Sequence, residues 1–148
     1  MPETFTTSVY RSGQGNVLTV GPGGQFDNNG GFAGATITVA AEITNVRAIT
    51  IQLTKADGTD IDTRQMCLIA VLLDANGDAF VTTGGSTGIA IGTDGALLPV
   101  VAKKLFWAIS EADGDIDLTW TDTGTEAAYL AVRLPNGKMV ISSALTNT

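Results

Sequence analysis

Beyond residue 34, five Asp-Gly or Asn-Gly dipeptides punctuate the chain, and they constrain its fold more than any other feature. They are Asp57-Gly58, Asn76-Gly77, Asp94-Gly95, Asp113-Gly114 and Asn136-Gly137. Each supplies backbone positions with φ > 0, which tight β-hairpin turns demand and which helices do not tolerate in their interiors. The segments between them alternate with a period of two, as strands with one buried face do. Ala35–Ala40 places Ile37 and Val39 together, and Ala48–Leu53 does the same with Ile49, Ile51 and Leu53. Ile116, Leu118 and Trp120 share a face in the same way.

Further strands are expected at Ile89–Ile91, Leu97–Val101, Leu105–Ile109, Tyr129–Leu134 and Met139–Ser142. Pro99 confines its strand to an edge or an end. The pattern is least decisive over residues 100–110. Met66–Leu73 is continuously apolar, as suits a central strand covered on both sides. Pro135-Asn136-Gly137 predicts an antiparallel hairpin of 129–134 with 138–143. Tyr129, at the start of the penultimate strand, partly matches the tyrosine corner of immunoglobulin-like domains and equally fits a plain core tyrosine. The expected architecture is an all-β antiparallel sandwich, immunoglobulin-like or jelly-roll, over residues 35–148. Ile51, Leu68, Val71, Trp120 and Val132 are expected in its core.

Residues 1–34 differ. Gly21-Pro22-Gly23-Gly24 and Asn28-Asn29-Gly30-Gly31 forbid a helix or a long strand. Phe5, Tyr10, Phe26 and Phe32 are scattered through this Gly-rich arm, with the apolar piece Val17–Val20. The arm either docks these rings in pockets on a neighbour or folds back over its own domain. The four rings are therefore the candidate contacts to a partner or to other copies of the chain.

Composition removes most chemistry. The chain has no histidine, which excludes Ser-His-Asp and Cys-His nucleophiles and the usual zinc sites. Cys67 stands alone within the apolar run and reads as a small core hydrophobe. No glycine pair is followed by the Gly-Lys-Ser/Thr of a phosphate-binding loop. A net charge of −7, with only eight basic residues, disfavours nucleic acid and anionic membrane surfaces. The first residues carry no basic-then-apolar signal segment, so a cytoplasmic start is expected. Asp57/Asp60/Asp62, Asp74/Asn76/Asp78 and Asp113/Asp115/Asp117 could offer oxygens to calcium. However, the helical calcium loop fails from Asp74, where Ala79 and Gly85 occupy its sixth and twelfth positions, and from Asp113, where Leu118 and Gly124 do. No catalytic residue, metal or cofactor is assigned, and no enzymatic activity is expected.

Four stretches taken in order are similar to one family: Ile49–Gly58, Gly88–Gly95, Ser110–Leu118 and Tyr129–Lys138. Together they resemble small proteins encoded near the major capsid protein in tailed-bacteriophage genomes and taken for head decoration or related virion proteins. The resemblance spans about residues 45–146. It implies a virion structural protein on the outer capsid surface, assembled in the host cytoplasm. Its partners would be the major capsid protein and other copies of itself. A carbohydrate-binding or adhesion module of a virion is the alternative. The turn-and-alternation pattern itself predicts a far-ultraviolet circular dichroism spectrum with less than about a fifth helix.

Overall fold

The computed structural model describes residues 31–148, together with the backbone of two short strands nearer the N-terminus. These are β1 (Val9–Arg11) and β2 (Leu18–Val20), which pair antiparallel as a separate two-stranded sheet. The remaining strands are β3 (Gly34–Val39), β4 (Val46–Thr54), β5 (Met66–Leu72), β6 (Gly88–Ile91), β7 (Ala96–Val101), β8 (Leu105–Ile109), β9 (Asp115–Thr121), β10 (Tyr129–Arg133) and β11 (Met139–Ile141). No helix occurs among the described residues.

Two antiparallel sheets form the body, a β-sandwich. One has the order β3-β4-β9-β6 and the other β11-β10-β5-β8-β7. Alternation decides what each strand buries. Ile49, Ile51 and Leu53 of β4 and Ile116, Leu118 and Trp120 of β9 line the inner face of the four-stranded sheet. Opposite them stand Cys67, Ile69 and Val71 of β5, Phe106 and Ala108 of β8, and Leu130 and Val132 of β10. These residues belong to one apolar cluster. Ile51, Val71, Trp120 and Val132 are in it as expected.

Leu68 is not. It is half-buried and lies on the opposite, outer face of β5. Residues 66–73 are apolar in both phases of the alternation, so the pattern could not say which phase faces inward. β5 is central in its sheet, as expected, yet it is fully covered on one side only. Phe32 is 5% exposed and part of the core cluster, where it closes the end of its own sandwich, the folding-back alternative for that ring. Phe5, Phe26 and the side chain of Tyr10 lie outside the described residues.

All five predicted turn glycines have positive φ, between 81° and 94°, but they are used in more than one way. Only Gly137 closes a hairpin between two paired strands of one sheet, β10 and β11. Gly95 lies between β6 and β7 and Gly114 between β8 and β9, where the chain passes from one sheet to the other. A side chain on Gly95 would meet the Ile109 carbonyl at 2.7 Å, and one on Gly114 would meet that of Leu53 at 2.9 Å. The β3–β4 and β7–β8 hairpins turn without glycine. Thr44 and Asn45 both take φ > 0 between β3 and β4, and Lys103 does so between β7 and β8. Tyr129 stands in register with Leu72, on the opposite phase of β10 from Leu130 and Val132. No hydrogen bond from its phenol to main chain, the mark of a tyrosine corner, is present among the described residues.

The two phases of one sheet give a direct check. Leu130→Ala, in the core, should cost about 2–5 kcal/mol in denaturant unfolding, whereas Leu68→Ala should cost less than about 1 kcal/mol. Equal costs would mean that the facing of β5 is reversed.

Candidate functional site

The outer faces of the two sheets differ in kind. On the four-stranded sheet the outward positions are Thr36 and Thr38 of β3, Val46, Ala48, Thr50 and Gln52 of β4, Ala90 of β6, and Asp115, Asp117, Thr119 and Thr121 of β9, polar except for Val46, Ala48 and Ala90. On the five-stranded sheet they are Ala96 and Leu98 of β7, Leu105, Trp107 and Ile109 of β8, Met66, Leu68, Ala70 and Leu72 of β5, Tyr129, Ala131 and Arg133 of β10, and Met139 and Ile141 of β11. Arg133 is the only charge among the latter. Leu98 is 65% exposed, Met66 57%, Met139 45% and Trp107 39%. Leu68, Leu72, Phe80, Leu105 and Met139 line a groove of about 300 Å³ across this face, large enough for an aromatic ring. Leu97, Leu98, Trp107 and Ile109 line a smaller one, of about 150 Å³, near the β7 edge.

Contiguous apolar patches of this kind mark interaction surfaces on soluble domains. Besides these apolar side chains, the larger groove is lined by the Asp78 carboxylate and the Arg133 guanidinium. The sequence carried the signal in the doubly apolar strands 66–72, 96–101 and 105–109: a second apolar phase needs a third layer, and the body has two.

The polar groups of the molecule gather elsewhere and are largely committed to one another. The loop before β6 presents a run of backbone N–H groups that could cradle an anion. It holds the chain's own Glu126. That carboxylate accepts from the Thr83 amide at 2.7 Å, the Thr83 hydroxyl at 2.6 Å, the Gly84 amide at 3.0 Å and the Gly85 amide at 2.9 Å. Desolvation alone would raise its pKa, but the bonds from Thr83, Gly85 and Gly84 outweigh it and hold the carboxyl at about 2. Lys103 secures the same loop from the other side, donating to the Gly85 and Ser86 carbonyls at 3.0 and 2.8 Å. One member of the only adjacent basic pair is thus engaged within the fold. The Cys67 thiol is buried, and its desolvation pushes its pKa up to about 12, far from a reactive thiolate.

The aspartates group differently from their spacing in sequence. Asp94 from the β6–β7 crossing, not Asp113, joins Asp115 and Asp117, with oxygens of all three within 4.8 Å of one another. The Thr50 hydroxyl donates to Asp117 at 3.0 Å, while Oδ1 of Asp115 is buried without a partner. Desolvation, and then the charges of Asp117, Asp113 and Asp94, raise the pKa of Asp115. Three such oxygens are hard ligands and amount to about half of a calcium shell.

No family model, no curated protein and no solved structure matches this chain.

Both carboxylates give pH predictions of opposite sign. Because the folded pKa of Glu126 is depressed, its contribution is full above the ordinary carboxylate pKa and fades as the pH falls toward about 2. Glu126→Gln should therefore lower Tm at pH 7 and match the wild type near pH 2. The ionised Asp115 is disfavoured in the fold, a penalty present above its raised pKa and relieved as the pH falls through it. Asp115→Asn, measured in chelator, should raise Tm by a few degrees at pH 7, and the gain should vanish below the ordinary aspartate pKa.

Proposed function

We propose that this protein is a structural component of a tailed-phage virion that decorates the outside of the capsid. It binds the major capsid protein, and neighbouring copies of itself, through the outer face of the five-stranded sheet. The observation that carries this reading is the apolar outer face set against a polar one on the other sheet. The resemblance over residues 45–146 supplies the setting, and the doubly apolar strands supply a physical reason for a partner.

A protein that reinforces a shell requires a stiff body and a broad contact, not a reactive centre. The sandwich core gives the first, and Met66, Leu98, Trp107 and Met139 give the second. Trp and Met are both enriched where interfaces are anchored. The Gly-rich N-terminal arm supplies an adaptable element. Ordering it costs about 1–2 kcal/mol per residue, so it settles only where contacts offset that loss. On this reading nucleic acid and membrane are not partners.

A carbohydrate-binding or adhesion role is the second reading, and the exposed indole of Trp107 is its support, since such a ring can stack on a sugar. Leu98, Met66 and Ile109 around it offer sugar hydroxyls no hydrogen bonds, so the shell reading stands first.

Purified protein incubated with empty phage heads and, separately, with a glycan array separates the two. Head binding is expected, and Leu98→Glu with Trp107→Glu should weaken it at least about tenfold while leaving the melting transition intact. Glycan binding without head binding would transfer the assignment to adhesion.

A further inference from the structure

We infer that the free protein pairs with a second copy of itself across a twofold axis, the outer faces of the two five-stranded sheets together, with Arg133 of each copy against Asp78 of the other. The inference rests on the shell reading only in taking that face as a contact surface, and it requires no capsid.

The first argument is area. Met66, Phe80, Leu98, Trp107, Ile109 and Met139 are each at least 39% exposed. Together they leave roughly 600 Å² open to water, the upper end of what one patch on a monomer shows. With Val101, Asp78 and Arg133 at its margins, the face approaches the roughly 800 Å² that each partner brings to a standard interface.

The second argument is charge. Asp78 and Arg133 line the same groove, yet no ion pair joins them among the described residues. A twofold contact repeats every pairing, so that residue i meets j and j meets i. One cation and one carboxylate on a single face are therefore self-complementary, and the two copies gain two equivalent ion pairs.

The third argument is what the opposite surface forbids. The chain has a net charge of −7, and Asp115 and Asp117 stand on the outer face of the four-stranded sheet. Pairing through that face would set like charges together, whereas pairing through the apolar face holds those acids far apart. Each copy has one apolar face, so the contact closes at two. Free copies thus mask each other's contact surface, and the dimer must open before either copy seats elsewhere.

Sedimentation velocity of the full chain, over about 1 to 100 μM, reads the association directly. A mass of about 30 kDa is expected, twice the 15.2 kDa chain. Leu98→Glu with Trp107→Glu should return it to a monomer with an unchanged circular dichroism spectrum. Arg133→Asp and Asp78→Arg should each weaken the dimer at least about tenfold, and the two combined should restore it to within about threefold of the wild type. Both positions are exposed, so the charge reversals probe the contact without disturbing the core. A wild-type monomer across the whole range, or a mass beyond the dimer, would overturn the proposal. A dimer that survives Leu98→Glu with Trp107→Glu would overturn it by placing the contact on another surface. Charge reversals without effect would overturn it by removing the twofold register. A monomer leaves shell binding standing, and heads that bind nothing leave the dimer standing, so the two readings fail separately.

Discussion

A single apolar layer between the two sheets sets everything else in this molecule. Ile51, Leu118 and Trp120 on one side and Ile69, Val71 and Val132 on the other are all but fully removed from water. With a period of two, once those positions face inward, every neighbouring residue is committed to the outside. The polarity of the two outer faces follows without further choice. Thr, Gln and Asp alternate with the core positions of β4 and β9, whereas Met, Leu and Trp alternate with those of β5 and β8. The surface proposed to bind a partner is the second phase of the core strands.

The ends of the sandwich are closed by side chains that satisfy main-chain groups. Besides the Glu126 and Lys103 bonds to the loop before β6, Asp122 accepts from the Ser86 and Gly124 amides. Near the C-terminus, the buried Asn147 amide donates to the Asn45 and Asp122 carbonyls at 2.7 and 2.8 Å, and Arg47 donates to its oxygen. Most strand-to-strand connections cross between sheets, so many backbone groups in the loops lack a ladder partner. Buried polar groups left unpaired are costly, and these acids, amides and cations supply partners. They are spent on architecture, which is why the polar clusters offer so little unoccupied chemistry.

The strands were legible because alternation and Asp-Gly or Asn-Gly turns are local signals. Ile49, Ile51 and Leu53 announce their face in the sequence, and the glycines announce their φ. Leu68 was not legible, because a run apolar in both phases carries no facing information. Nor were the turns at Thr44-Asn45 and Lys103, where non-glycine residues adopt left-handed backbone held by the surrounding ladder. The grouping of Asp94 with Asp115 and Asp117 depends on a crossing between sheets that no spacing rule contains. Phe32 looked like one more ring on a Gly-rich arm, and only the position of β3 beside it made it part of the core. The apolar face was present in the sequence as an excess, three strands with more hydrophobic surface than two layers can absorb.

The unlike outer faces also give the body a handle on direction. A slab that is greasy on one side and carboxylate-bearing on the other can seat on a surface in only one attitude. When the Trp107 side is down, the exterior shows Asp115, Asp117 and the threonines of β3 and β9. Many copies laid side by side would present a uniformly acidic skin, and like charge on two such skins repels. Objects coated this way would stay dispersed at low ionic strength and draw together as salt screens the repulsion.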